Sequence, residues 1–290
     1  MNAISDTESI QALDSLFYDV GTYKKSAEYM QLLKFIRRFP YYSPYNAHLL
    51  YMQKPDSHYV AMVQTWKRDF DRTIKSGARP LIILVPFGPV GYVFDFEDTE
   101  GVPFPDELLN PFKTKGEIPD NLYSNLLNNL PRIGICYTEE DYGLQMAGKI
   151  SSSKKIHKQV IHTKQQVINV RVLYDLFVNK KHAKNDVFTT ILHELAHLYC
   201  GHIVDENTEF FSKRRKLDKK EGEFEAESVA WLVCERLGFY NPSEKYLAGY
   251  VKEYDTIPNI SLDCILNAAG KIEELLKGVI KIKKEIIIKD

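Results

Sequence analysis

Cysteine is scarce in this chain and shows no pairing pattern. Its four cysteines, Cys136, Cys200, Cys234 and Cys264, are scattered with no C-x-x-C, which excludes a thiolate zinc knuckle and a disulfide framework and fits a reducing interior. Long apolar runs are missing too, since none approaches the ~20 residues that a membrane-spanning helix needs. The first residues, Met1 to Asp19, mix acids with apolar side chains and lack the basic start and apolar centre of an export signal. A cytoplasmic protein with no membrane partner is therefore expected. An excess of one charge is also absent. With 38 Lys and Arg against 39 Asp and Glu, the net charge of −1 does not make the whole chain a polyanion-binding protein. Neither internal repeats nor low-complexity tracts occur, which excludes solenoids and arrays.

What is present is ample core. Apolar residues make up 44% and charged residues 27% of 290, a globular balance at a length that fits two domains. Charge is uneven locally. Lys149 to Lys184 holds nine Lys and Arg against one acid, a net of +8, while Asp95 to Asp120 holds eight acids against two lysines, a net of −6. Such segments of opposite sign are expected to form solvated faces or to pair with each other.

The apolar spacing predicts amphipathic helices within Ser9 to Phe39, stopped by Pro40, and a helix restarting at Pro44 to Tyr51. A strand follows at Pro80 to Pro86, with a continuous branched run suited to burial on both faces. Gly88 to Pro131, rich in Gly, Pro and acids, reads as loops with a short helix near Leu122 to Leu127. Strand-like pieces come next at Ile133 to Tyr137 and Gln159 to Val172. Two strong helices follow, Val187 to Tyr199 with Asn185 and Asp186 as caps, and Gly222 to Leu237; Ala268 to Ile287 is a further amphipathic helix. Three segments are expected: a smaller α/β domain over 1–130, an α+β domain over 131–255, and a C-terminal helix over 256–290.

The chemistry lies in Ile191-Leu-His193-Glu194-Leu-Ala-His197, an H-E-x-x-H inside a helical pattern. Residues four apart lie one above the other on a helix, so His193 and His197 can share one zinc ion while Val187, Ile191, Leu195 and Leu198 anchor a neighbouring face. Glu194 sits beside the metal without binding it, placed to act as general base. A catalytic zinc needs a third protein ligand. The pattern H-E-x-x-H-x-x-G-x-x-H fails, because Cys200 and Ile203 stand where glycine and histidine are required. The carboxylate-rich run Glu221 to Trp231 supplies the alternative. Glu223 and Glu227 are four apart, so one can bind zinc while the other takes a histidine N–H; Glu223 is the expected ligand and spacing alone leaves the reverse open. Glu221 and Glu225 read as acids that solvate the helix. Tyr199 and His202 are the nearby candidates to stabilise an oxyanion.

These residues carry a resemblance. Glu223 to Gly238 following His193 to His197 resembles the ImmA/IrrE-type metallopeptidases and the peptidase half of ArdC-type antirestriction proteins. Phe39-Pro-Tyr-Tyr-Ser-Pro-Tyr-Asn46, Gln53-Lys-Pro55, Thr65-Trp66, Lys75-Ser-Gly77 and Ile82 to Pro86 resemble the single-strand-DNA-binding-like domain that precedes it in ArdC-like proteins. Where those relatives often show Leu-Gly-Arg, this chain has Phe70-Asp71-Arg72. The resemblance implies a zincin-like fold with zinc on His193, His197 and Glu223, Glu194 as catalytic residue, and an intracellular endopeptidase cleaving a protein, such as a DNA-bound regulator. The competing expectation is a single-stranded-DNA-binding or antirestriction protein whose zinc is structural. Tyr41, Tyr42, Tyr45, Tyr59 and Trp66, with Lys67, Arg68 and Arg72, could stack on and neutralise a single strand, though aromatics so spaced are more often core.

Overall fold

The computed structural model describes residues 25–86, 88–105, 108, 116–141, 147–153, 157–203, 217–239 and 243–288. The helix expected from Ser9 lies outside them as far as residue 24. The protein is mixed α and β with small sheets, and it divides into two compact units, one within residues 1–114 together with 250–257, the other within 115–249 together with 258–290. This division differs from the expected 1–130, 131–255 and 256–290. The helix near Leu122 belongs to the second unit because Asn125 donates to the Leu276 carbonyl (2.9 Å) and Asn129 to those of Leu275 (2.8 Å) and Gly278 (2.7 Å), which ties it to the C-terminal helix.

The first unit contains α1 (Ser26–Ile36), α2 (Pro44–Gln53), β1 (Val60–Ala61), α3 (Val63–Phe70), β2 (Arg72–Ile74), β3 (Leu81–Val85), β4 (Gly88–Asp95) and β5 (Thr99–Gly101). Pro44 opens α2 at a position that needs no N–H, and the Ser43 hydroxyl accepts from Asn46 N at 3.2 Å. The strands form an antiparallel sheet β1–β4–β3 and a β2–β5 pair. Gly88 to Asp95, expected as loop, is thus the central strand of its sheet. Its glycines serve close approach: a Cβ on Gly91 would lie 2.7 Å from Val85 Cγ1 and 3.2 Å from Ile83 Cγ1.

Several residues behind the ArdC-like resemblance have structural work in this unit. Asn46 and Gln53, two helical turns apart, each exchange a pair of hydrogen bonds with β3: Asn46 with both backbone groups of Leu84 (2.8 and 2.9 Å), Gln53 with both of Ile82 (2.8 and 2.9 Å). The two amides occupy the outer edge of β3 as a neighbouring strand would. Asp71 ends α3 in a left-handed conformation (φ 48°, ψ 44°), the position glycine occupies at least cost.

His48 is 1% exposed, and burial pushes its imidazole down to about 4. The unfolded chain takes up this proton below pH ~6.5, the folded chain only near 4, so stability falls as pH drops through that window, by about 2 kcal/mol at pH 5. Each unit carries one of the two tryptophans, Trp66 and Trp231, so denaturant unfolding in a Trp231→Phe background reads the first unit. The loss between pH 7 and pH 5 is expected to shrink in His48→Leu; an equal loss there would assign the effect to other groups.

The second unit contains α4 (Asp120–Asn129), β6 (Ile135–Glu140), β7 (Gly148–Ser152), β8 (Lys158–His162), β9 (Val167–Arg171), β10 (Tyr174–Asn179), α5 (Lys184–Tyr199), α6 (Lys219–Arg236), the start of α7 (Ser243–Glu253) and α8 (Leu262–Lys277). The segment expected as one strand over Gln159 to Val172 is an antiparallel hairpin, β8–β9. β10 is the centre of a second sheet, parallel to β6 and antiparallel to β7. Its alternation buries Tyr174, Leu176 and Val178 and leaves Asp175 and Phe177 half-buried on the other face. α5 begins at Lys184, earlier than expected, and its N-cap residue Ala183 provides no side-chain bond, so Asn185 and Asp186 lie inside the helix. α6 begins with a capping box in which Asp218 and Glu221 bond each other's backbone N–H (2.8 and 3.1 Å). α8 ends before Gly278, short of the expected Ile287. Lys184 at the end of the basic segment pairs with Asp120 at the end of the acidic one. No helix among the described residues is long and apolar enough to cross a membrane.

Candidate metal centre

α5 is packed by four neighbours. Val187, Phe188, Ile191, Leu192, Leu195 and Ala196 are buried, and the helix packs on α6, α8, β7 and β10. Its approach to β7 is close, since a Cβ on Gly148 would stand 2.5 Å from Thr190 Cγ2 and 3.0 Å from the Phe177 carbonyl oxygen. This proximity lets Ile150 N–H donate to Glu194 Oε2 (2.9 Å), so backbone from the strand fixes one oxygen of the expected base.

His193 and His197 place their Nε2 atoms 3.0 Å apart, and Glu223 Oε2 from α6 lies 3.5 Å from the first and 3.7 Å from the second. Ligand atoms on a tetrahedral ion with bonds of ~2.1 Å stand about 3.4 Å apart, so the three donors fit a zinc-sized cation. The charge fits as well. Hydrogen bonds from both imidazoles hold the Glu223 carboxyl well below the usual carboxylate range. Burial alone would lower His193, but its bond to Glu223 and the charges of Glu227, Glu194 and Glu223 outweigh this and hold its imidazolium above the ordinary value. Three carboxylates around two imidazoles leave a negative excess that a divalent cation offsets.

The other nitrogens of both rings are engaged. Glu227 Oε1 lies 3.6 Å from His193 Nδ1. His197 Nδ1 lies 2.9 Å from His202 Nδ1, His202 Nε2 lies 2.9 Å from Glu225 Oε2, and Glu225 Oε1 accepts from Ser261 N–H at 2.7 Å. The tautomers follow from one end. With His197 Nε2 turned to a metal, its Nδ1–H donates to His202, whose Nε2–H then donates to Glu225. Glu225 is 0% exposed, so it is not the solvating acid its sequence neighbourhood suggests. An isolated buried carboxylate is costly, and here the amide and imidazole stabilise it. Glu225→Gln, which keeps the shape and removes the charge, is expected to weaken zinc binding about 10–100-fold in competition with a chromogenic chelator. Unchanged affinity would confine this chain of bonds to a packing role.

Beside the triad opens a cleft of about 480 Å³ reaching His193, Glu194 and Glu227, with His182, Thr190 and Tyr246 also on its walls. The oxyanion candidates therefore change. His202 lies behind His197, on the Nδ1 side, and Tyr199 is half-buried with Lys271 Nζ over its ring (5.6 Å) and is not on the cleft wall. Sequence reasoning missed His182 and Tyr246 because both lie outside the H-E-x-x-H helix, in the loop before it and on α7.

In the first unit, Trp66 is fully buried in a cluster with Tyr59, Phe70, Phe96 and Phe104, and its Nε1–H donates to the Phe94 carbonyl (3.0 Å). Arg72 is buried and bonds Thr99 through Oγ1 (2.8 Å) and the carbonyl (2.9 Å) and also the Val102 carbonyl, while Arg68 pairs with Asp69 (2.6 Å). Tyr41 alone of the aromatics expected to stack is strongly exposed, at 83%.

Comparison with known proteins adds no relative: no protein-family model, no curated protein and no solved structure matches the chain.

Proposed function

We propose that the chain is a metal-dependent hydrolase and, within that class, a zinc metallopeptidase of the ImmA/IrrE kind acting on a protein substrate. One observation carries the reading: His193, His197 and Glu223 converge on a point beside an open cleft, with Glu194 anchored next to it by Ile150 N–H. A structural zinc is closed by four protein ligands, whereas three ligands beside a cleft leave a position for water. Zinc in such a set supplies Lewis acidity toward water and a carbonyl oxygen. Glu194 takes the proton of the attacking water and passes it to the leaving amine. His182 and Tyr246 offer donors to the charge that develops on the carbonyl oxygen. A peptide substrate is supported by the cleft's course past Ala147 and Gly148 along β7, an edge strand among the described residues, because an extended chain can add to such an edge. Single-strand DNA binding has less support, since Trp66 and Arg72 are buried and Arg68 is paired.

The test is metal content by plasma mass spectrometry, read beside hydrolysis of unfolded casein. Wild type is expected to hold about one zinc per chain more than His197→Ala, and chelation is expected to abolish hydrolysis. Equal zinc in the two proteins would overturn the reading.

A further inference from the structure

A second convergence of ligand atoms lies on the central sheet of the same unit and shares no residue with the first. Cys136 of β6 and Asp175 of β10 are direct partners across a parallel pair, so their side chains stand on one face. It is the face opposite to buried Tyr174, Leu176 and Val178, and both residues are half-buried there. His157 enters just before β8, its backbone held by Val172 N–H donating to its carbonyl at 3.0 Å. Its Nδ1 lies 3.3 Å from Ser153 Oγ and its Nε2 3.5 Å from Asp175 Oδ1. One donor atom from each of Cys136, His157 and Asp175 lies within 4.8 Å of the others.

The ring orientation decides between two uses of such a trio. A Cys–His–Asp nucleophile needs the imidazole between thiol and carboxylate, one nitrogen for each. Here Ser153 stands at Nδ1 and Nε2 faces the carboxylate, which leaves no second nitrogen for the thiol. The arrangement instead matches a metal ligand whose remote nitrogen is oriented by a hydroxyl. A thiolate and a carboxylate together balance a divalent charge, and sulfur with imidazole selects zinc-like ions over magnesium or calcium.

We propose that Cys136, His157 and Asp175 form a second metal site for a thiophilic divalent transition ion, joining β6, β10 and the entry to the β8–β9 hairpin. The proposal is independent of the reading of the H-E-x-x-H site. It is tested by titrating the metal-free full chain with cobalt(II), whose bond to a thiolate gives a charge-transfer absorption in the near ultraviolet. The His193, His197 and Glu223 set contains no sulfur and gives no such band. The expected result is a band of equal final intensity in wild type and in a His193→Ala/His197→Ala variant, saturating at about one cobalt per chain in the variant, whose H-E-x-x-H site no longer competes for the ion. Cys136→Ser should lose the band, and Asp175→Asn, which leaves the thiol in place, should require more cobalt to reach it. Cys200→Ser should keep it, a necessary control because Cys200 also lies beside a histidine and a carboxylate, His202 and Glu225. Far-ultraviolet circular dichroism of each variant separates lost ligation from lost folding. No thiolate band in wild type, or one that survives Cys136→Ser in a folded protein, would overturn the proposal. Loss of zinc from the H-E-x-x-H site alone would leave the cobalt band unchanged, so the two readings fail separately.

Discussion

Glu194→Gln is expected to leave the zinc content unchanged and to lower peptide hydrolysis by about 10²–10⁴-fold or more, the range that a positioned general base contributes. The metal is expected to stay because Glu194 is not among the three atoms that converge; those belong to His193, His197 and Glu223. The fold is expected to stay because a glutamine oxygen can still accept the Ile150 N–H that holds the carboxylate now. What glutamine cannot do is accept a proton from water at neutral pH. The loss should therefore fall on kcat, with KM for an unfolded protein substrate little changed, since the proposed substrate binding rests on the cleft walls and the β7 edge. Glu194→Asp is the companion variant: it keeps the charge but withdraws it by one methylene from both Ile150 N–H and the metal side. Intermediate activity there would show that position as well as basicity matters. Wild-type turnover in Glu194→Gln, at equal zinc content, would remove this residue from the reaction.

The parts of the site that follow helical spacing were legible before any coordinates. His193 and His197 at i and i+4, the buried face of Val187, Ile191 and Leu195, and the Glu223–Glu227 pair all follow from a 3.6-residue period. Glu225 was not legible, because an acid in a Glu-x-Glu-x-Glu run looks solvated until its partner is known. That partner, His202, is 23 residues away, and Ser261 N–H comes from further still. β4 was misread for a different reason. Its Gly and Pro look like loop punctuation, yet Gly91 is small because the Val85 and Ile83 side chains occupy the space a Cβ would need. β7 and β10 escaped because short strands over Gly148–Ser152 and Tyr174–Asn179 owe their pairing to partners distant in sequence, which periodicity over five or six residues cannot reveal. Glu194, the proposed base, is held by one of these illegible strands, so the residue could be named from its motif but not its anchor.

Glu273→Ala is expected to destabilise the second unit by about 3–5 kcal/mol, the cost of breaking a buried ion pair from one side. Arg236, on the helix that carries Glu223 and Glu225, and Glu273, on α8, are each 5% exposed. They meet through two contacts, Nε to Oε1 at 2.5 Å and Nη2 to Oε2 at 3.2 Å, the forked geometry that a guanidinium makes with a carboxylate. Alanine at position 273 removes the carboxylate that both Nε and Nη2 of the buried guanidinium bond, so the penalty is that of two charged contacts rather than of one. Arg236→Met/Glu273→Leu, which replaces both charges with apolar groups, should recover most of the loss. Trp231 lies five residues before Arg236 on α6, so its fluorescence in a Trp66→Phe background follows this unit through denaturant unfolding. On the proposed reading that Glu223 of α6 is the third metal ligand, and in a Cys136→Ser background that removes the second proposed site, added zinc should raise the midpoint of Glu273→Ala but not that of Glu273→Ala/Glu223→Ala. A cost below about 1 kcal/mol would place the pair among the weak contacts typical of the surface. A zinc effect that persists without Glu223 in that background would show that stability and the H-E-x-x-H site are not linked through this helix.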